Sequence, residues 1–335
     1  MNDADYPKVS IIVVSYNNEY TIDECLKSIL ALDYPPGFFE VIVMDGASRD
    51  ATVRKAQQYP VKVVSIRLNA PAAYNYAMKN VAAHEVLGFI DSDAKVEPQW
   101  LRKLVPHLDE PQVAGVSGSI ETWNAQNPWA KSIGYELKIR YSRIGKYTSR
   151  IATMNLLLKK AVIEEAGGWD ENLASQYDTD LGFRVSAKGY RIAYEPSAVC
   201  YHYNRPTLRA YFRQQLLYGK NTLKLYFKHG GLAKGDEITD FGMNIQPVLL
   251  LAVVVFFLVG IVPALRLLWL GSGLILAFML FYFIYSAARV AVKFHDGSAF
   301  RLVVLYFARA LAWFVGATST ALNYLRGKGM KTRNA

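Results

Sequence analysis

The chain has 335 residues, 52% hydrophobic and 20% charged, with a formal net charge of +10. So apolar a composition excludes a disordered chain, and 23 glycines without a period and two cysteines exclude a collagen-like or disulfide-stapled scaffold. The charge is uneven: residues 1–205 hold 23 Lys and Arg against 24 Asp and Glu, and residues 206–335 hold 15 against 4, a pattern that points to a soluble domain joined to a membrane or to nucleic acid.

The start, MNDADYPK, is acidic and runs straight into a strand without a signal peptide, which places the front half in the cytoplasm. Val9–Ser15 (VSIIVVS) is a continuous apolar run of the kind that forms a buried parallel strand. Thr21 and Glu24 have capping-box spacing and open a helix. Glu40–Met44 is a second strand, followed by DGASRDAT and another helix, and Val61–Arg67 is a third. Pro71 suits the first turn of the next helix, and Val86–Ile90 is a fourth strand that ends at Asp91-Ser92-Asp93. This β–α alternation predicts a doubly wound sheet with ligands at the strand C-terminal ends. The first strand-to-helix turn, SYNNEYT, has no glycine and there is no P-loop, so a dinucleotide-binding site of the Rossmann kind is excluded.

Further along, residues 129–150 interleave Lys131, Lys138, Arg140, Arg143, Lys146 and Arg150 with tyrosines, a surface suited either to an acceptor carrying phosphate and sugar or to packing on the domain. Residues 205–234 repeat Arg and Lys between Leu208, Phe212, Leu216, Leu223 and Phe227, the pattern of a basic amphipathic helix on anionic headgroups. Ile245–Val262 and Leu267–Ala288 are uncharged and long enough to cross a bilayer as a tight hairpin. Leu302–Leu325 predicts a third span, or an interfacial or bundle-buried helix, because Arg309 sits near its middle. Lys293 and Arg301 in the second link fit a cytoplasmic placement. The basic tail of Arg326, Lys328, Lys331 and Arg333 conflicts with it if three spans cross. With these runs the basic half is read as membrane-bound, with the lipid bilayer and no nucleic acid as partner.

Asp91 and Asp93, two residues apart beyond a strand, suit a hard divalent cation such as Mg²⁺ or Mn²⁺ that also takes phosphate oxygens. In order, VSIIVVSYNNE, EVIVMDGASRDAT, FIDSDAKVEPQWL, GGWDE and YDTDLGFRVSAKGYR resemble family 2 glycosyltransferases. The resemblance covers about residues 8–220 and implies a GT-A fold, with a mixed, mostly parallel sheet and a nucleotide-diphosphate sugar as donor. It implies that Tyr16, Glu19 and Asp45 meet the nucleoside, Asn75 the ribose or diphosphate, and Asp91 the ribose and sugar. Asp93 would hold the metal, with His202 a second candidate or a structural histidine. Asp178 aligns with the catalytic base, and Asp180 would pair with Arg184. The residue before the base, Glu in the family, is Tyr177 here. The Gln-x-x-Arg-Trp of processive members is replaced at Gln214-Gln215-Leu216-Leu217-Tyr218, which counts against polymer synthesis. Gln214, Tyr218 and Arg140 are the acceptor-side candidates.

The expected organisation is a cytoplasmic catalytic domain over 1–204, an interfacial region over 205–243, membrane helices over 244–326 and a basic tail over 327–335. The expected protein is a multi-pass, cell-membrane, inverting glycosyltransferase with a polyprenyl-linked sugar acceptor and GDP-mannose as the favoured donor. A polyprenyl-phosphate sugar synthase and a membrane scaffold with an inactive transferase domain are the alternatives.

Overall fold

The computed structural model describes residues 6–326. Most of the acidic start and the tail with Lys328, Lys331 and Arg333 lie outside the described residues. The chain forms two units. One contains the residues up to Trp123 together with Tyr141–Tyr203, and the other Asn124–Arg140 together with the chain from Asn204. The expected 1–204 domain therefore loses 124–140 to the helical unit.

In the first unit, β1 (Val9–Ser15), α1 (Ile22–Leu30), β2 (Phe39–Asp45), α2 (Thr52–Ala56), β3 (Lys62–Ser65), α3 (Ala70–Asn80) and β4 (Val86–Asp91) follow one another in the alternation expected. The four strands are parallel, in the order β3-β2-β1-β4. Then come β5 (Ala94–Val96), α4 (Trp100–Leu104), β6 (Val113–Thr122), the helix α5 (Pro128–Tyr141), β7 (Tyr147–Thr148), β8 (Leu156–Lys159), α6 (Lys160–Glu165), α7 (Tyr177–Ala187) and β9 (Arg191–His202). The sheet continues from β4 through β8, β6 and β9 to β5, with β7 on β9. β8 runs antiparallel to β4 and β6, so the sheet is mixed.

The central β1 is buried on both faces because alternate residues feed two cores. Ile11 and Val13 join Leu26, Val43 and Trp100 on one side. Ile12 joins Met44, Tyr74, Phe89 and Trp169 on the other. Thr21 is the N-cap of α1, yet the expected capping box does not form. Its ψ of −24° is outside the extended range a cap needs, and its hydroxyl turns back to the Asn18 carbonyl at 3.4 Å. Glu24 pairs instead with Lys27 at 3.1 Å. Asn69 does cap α3, accepting from the Ala72 amide at 3.0 Å with Pro71 in the first turn.

The second unit comprises α5, α8 (Leu208–Lys228), α9 (Phe241–Asn244), α10 (Gln246–Val259), α11 (Leu268–Phe294) and α12 (Arg301–Leu325). Three helical stretches, Phe241–Val259, Leu268–Phe294 and Gly297–Leu325, are long and apolar enough to cross a membrane. α8 is helical as expected, and the face it packs against protein is not its Leu/Phe series. Tyr211, Gln215, Gly219, Asn221 and Leu225 are buried, while Leu217 and Phe227 are exposed. Gly219 and Gly316 explain the choice. A Cβ on Gly219 would lie 2.6 Å from the Trp313 Cα, and one on Gly316 would lie 2.7 Å from the Leu216 carbonyl oxygen, so the two helices touch backbone to backbone.

Arg309 is 3% exposed and pairs with Glu136 of α5. The Arg309 guanidinium also lies 4.9 Å from the ring centroid of Tyr306. Burying one charge without the other is costly, so Glu136→Ala is expected to destabilise the protein by about 3–5 kcal/mol. Thermal unfolding in detergent reads this, and Glu136→Gln, which keeps an acceptor for the guanidinium, should lose less.

Candidate functional site

The parallel register carries the first loops to one sheet edge. Ser15 of β1 lies opposite Asp45 of β2, and Val14 lies opposite Asp91 of β4. The segments Tyr16–Glu19, Asp45–Thr52 and Asp91–Asp93 therefore leave the sheet side by side.

The first two are tied together by side chains. The Asn17 amide donates to the Ser48 hydroxyl at 2.8 Å, and the Arg49 amide donates to the Asn17 side chain at 2.9 Å. The Asn18 amide donates to Thr52 at 2.8 Å, and the Ala51 amide donates to Glu19 at 3.1 Å. Asn17 and Ala47 hold left-handed φ values of 53° and 65°. Such non-glycine conformations persist only where the surroundings impose them. Asp45 is 1% exposed and accepts from the Ser48 amide at 2.9 Å, the Ser65 hydroxyl at 2.7 Å and the Ser48 hydroxyl. Three of a carboxylate's roughly four acceptor positions are thus occupied, two from Ser48 in the loop and one from Ser65 at the end of β3. Tyr16 is 56% exposed beside it.

Asn75, expected at the ribose or diphosphate, is bound to the GGWDE segment. It is buried, its amide donates to the Trp169 carbonyl at 2.9 Å and to Glu171 at 2.8 Å, and its oxygen accepts from the Trp169 amide at 2.9 Å. Asn75 thereby clamps GGWDE. Gly168, at φ 74°, sits so close that a Cβ there would lie 2.8 Å from the Asn75 oxygen.

Asp91 is held by two hydroxyls: Tyr74 donates at 3.3 Å and Thr153 at 3.0 Å. Burial, and then the charge of Asp93, push its carboxyl up to about 6. Asp93 is placed by the pairing of β5 with β9, which sets Ala94 opposite His202 and brings the His202 Nε2 to 3.4 Å from the Asp93 Oδ1. A carboxylate and an imidazole side by side form a donor set that fits a divalent cation such as Mn²⁺. Among the described residues no group of three or more such ligands gathers. A cation at this pair would complete its coordination with diphosphate oxygens and water.

Asp178 stands in the first turn of α7, entered through Gln176 at φ 60°. Its Oδ1 accepts from the Thr179 amide at 2.7 Å. Burial raises its carboxyl, while the Thr179 amide and the charge of Arg150 oppose that rise. Asp178 and Asp91 feel each other's charge, and Tyr74, buried, feels both. Asp180 is fully buried and paired with Arg184 at 2.7 Å, as expected of a structural residue. Tyr177 packs on an aromatic group, with ring centroids 5.9 Å from Trp169 and 6.1 Å from Tyr74. Gln214 and Tyr218 are half-buried on α8. Arg140 donates to the Ile238 carbonyl at 2.9 Å. All three belong to the helical unit.

Sequence reasoning passed over Tyr74, Thr153 and the Asn17–Ser48 lacing. Tyr74 and Thr153 carry no motif. Only their place in β–α alternation, facing a strand end that bears acids, could have singled them out.

The family model described as "Glycosyltransferase like family 2" matches residues 7–216. The glycosyltransferase AglE of Haloferax volcanii is 25% identical over 228 residues, 66% of this chain and 74% of AglE. The beta-monoglucosyldiacylglycerol synthase of Synechocystis is 28% identical over 203 residues, 56% of this chain and 42% of that protein. A solved structure of the mannosyltransferase PcManGT from Pyrobaculum calidifontis, in complex with GDP-Man and Mn²⁺, superposes with a TM-score of 0.61 at 20% identity. That alignment covers 96% of this chain and 89% of the other.

Proposed function

The chain belongs to glycosyltransferase family 2, and from that premise we propose that it moves a hexose, with inversion, from a nucleotide-diphosphate sugar to a polyprenyl-linked sugar acceptor at a membrane. The observation that carries the reading is that Asp91, bonded by the buried Tyr74 hydroxyl, lies within reach of the charges of the Asp93–His202 pair and of Asp178. Carboxylates on the donor side and a separate buried carboxylate within reach of their charge are what a displacement between two bound sugars requires.

The roles follow from the surroundings. The laced loops of Tyr16–Glu19 and Asp45–Thr52 hold the nucleoside, with Asp45 fixing the loop from within and Tyr16 offering an exposed ring to the base. Asp91 faces the ribose and sugar. Asp93 and His202 would hold Mg²⁺ or Mn²⁺, which when bound supplies positive charge against the departing diphosphate. Thr179 fixes Oδ1 of Asp178 and so orients Oδ2 towards the acceptor hydroxyl. Oδ2 takes that proton as the oxygen attacks the anomeric carbon from the face opposite the diphosphate. Gln214, Tyr218 and Arg140 are the acceptor-side candidates.

GDP-mannose is the favoured donor, supported by the GDP-Man in the PcManGT structure. A lipid acceptor is supported by the lipid product in the name of the Synechocystis relative and by three membrane-compatible helices. The catalytic unit then works on the cytoplasmic face of the cell membrane. The test is a panel of nucleotide sugars with purified full chain and Mn²⁺, with and without polyprenyl-linked acceptors. GDP-mannose should be hydrolysed slowly alone and consumed faster with a lipid-linked sugar. Faster consumption with polyprenyl phosphate than with a lipid-linked sugar would make the protein a polyprenyl-phosphate sugar synthase. No consumption of any donor would overturn the enzymatic reading in favour of a scaffold.

A further inference from the structure

Of the three apolar stretches, two are bare and one is not. In Phe241–Val259 and Leu268–Phe294 only 11% and 17% of the most apolar window is buried by protein, against 44% in Gly297–Leu325. Much of the cover on α12 is α8, which runs beside it in the same direction. The Trp313 indole donates to Gln215 at 2.9 Å, the Thr320 hydroxyl donates to the Lys220 carbonyl at 3.0 Å, and the Tyr324 and Phe227 rings stack with centroids 6.4 Å apart. The positions on α8 and α12 rise together, and the Gly219–Gly316 contact lies between them.

That alignment is hard to reconcile with a third crossing. α8 carries Arg209, Arg213, Lys220, Lys224 and Lys228, spread over about 28 Å at 1.5 Å per residue. A hydrocarbon core is about 30 Å thick. If α12 crossed it, α8 would be drawn in beside it with cations along its whole length. Each would cost about 2.5–3.5 kcal/mol at mid-depth even on insertion scales. Arg309 would bring the polar α5 in too, through Glu136, about 12 Å along α12 from its start. The packing of the hairpin agrees. The core shared by these helices takes Leu249 and Leu250 from α10 and Ile275 to Phe294 from α11, but among the described residues nothing of α12 beyond Ala310. Beyond Ala310, Trp313 and Gly316 of α12 face α8, and Leu258, Leu270 and Leu274 of the hairpin are exposed.

We infer that α12 does not cross the membrane: α8 and α12 form a parallel pair lying in the interface, and the chain has two spans, α10 and α11. The exposed stripe of α12, Val304, Leu311, Val315 and Leu322, meets the acyl chains. The exposed Arg209, Arg213, Lys220 and Lys228 of α8 meet anionic headgroups. α12 then ends, at Arg326, on the same side as the N-terminal half, where positive charge belongs by the loop-charge rule.

The test is side-specific labelling. Single cysteines are introduced as Lys62→Cys in the catalytic unit, Ala264→Cys between α10 and α11, and Lys328→Cys after α12. The full chain is placed in sealed vesicles of one orientation and exposed to a membrane-impermeant maleimide before and after permeabilisation. Cys25 and Cys200 are fully buried and stay silent in the folded protein. Two spans require Lys328→Cys to label together with Lys62→Cys, and Ala264→Cys to label from the other side. Labelling of Lys328→Cys together with Ala264→Cys shows three crossings and overturns the inference. Donor consumption by each variant confirms that it is folded, and it does not depend on the labelling result.

Discussion

Asp178→Asn is expected to slow transfer by about 10²–10⁴-fold, the usual contribution of a general base, while leaving donor affinity almost unchanged. The substitution keeps the shape and the Thr179 contact at Oδ1 but cannot accept the acceptor's proton. The pH profile gives an independent reading. Burial raises the Asp178 carboxyl, so the wild-type kcat/KM should rise with pH through a pKa above the ordinary carboxylate range and fall below it as the base becomes protonated. The variant should lack that limb. The sign on stability is the reverse of the familiar one. A carboxyl that holds its proton more tightly when folded stabilises the protein at low pH and loses that contribution as pH rises through its raised pKa. Asn never ionises, so at neutral pH the unfolding midpoint should be equal or higher. Asp45→Asn should behave oppositely, weakening donor binding with a smaller effect at saturating donor, because its contacts to Ser48 shape the loop proposed to hold the nucleoside and its contact to Ser65 ties that loop to β3. Near wild-type turnover of Asp178→Asn would move the base to the acceptor itself, as a phosphate acceptor allows.

Asp93→Asn is expected to bring transfer to background while leaving the fold intact. It removes the anionic member of the Asp93–His202 pair and keeps its volume. Calorimetry separates this from a general loss of the site. Wild type should bind nucleoside diphosphate more tightly with Mn²⁺ than in EDTA, and Asp93→Asn should bind equally in both, at the weaker level. Full wild-type transfer in EDTA would show that the pair serves the fold alone.

Much of the first unit could be read from the chain because it is local. VSIIVVS marks β1 at both ends, and Asp91-Ser92-Asp93 follows an apolar run that can only end at a strand terminus. Other features depend on partners far along the chain. The insertion of antiparallel β8 between β4 and β6 leaves no periodicity of its own, since LLLK would suit either neighbour. Tyr74 looks like any core aromatic until Phe89 and Trp169 bury its ring and leave its hydroxyl to Asp91. The face that α8 packs against protein is hard to read because its bulky residues are not its packed ones. Close approach at Gly219 outweighs the area of Leu217 or Phe227, which a hydropathy pattern does not register. α5 carries four basic and acidic side chains yet leaves the sheet domain, because its Glu136 answers a charge 173 positions later.

The pairing of β5 with β9 has a consequence for how the protein is made. Asp93 and His202 lie more than a hundred residues apart in the chain and meet only when Ala94 finds its partner in the last strand of the sheet. A nascent chain that has left the ribosome as far as β4 can already close the Tyr16–Glu19 and Asp45–Thr52 loops, since both are local to β1, β2 and their helices. It does not gain the Asp93–His202 pair until residue 202 has emerged, just before the helices that are long and apolar enough to cross a membrane. If the proposed roles hold, truncated or stalled chains would have the nucleoside loops without the residues that act on a diphosphate, and competence would arrive only as the apolar helices are made.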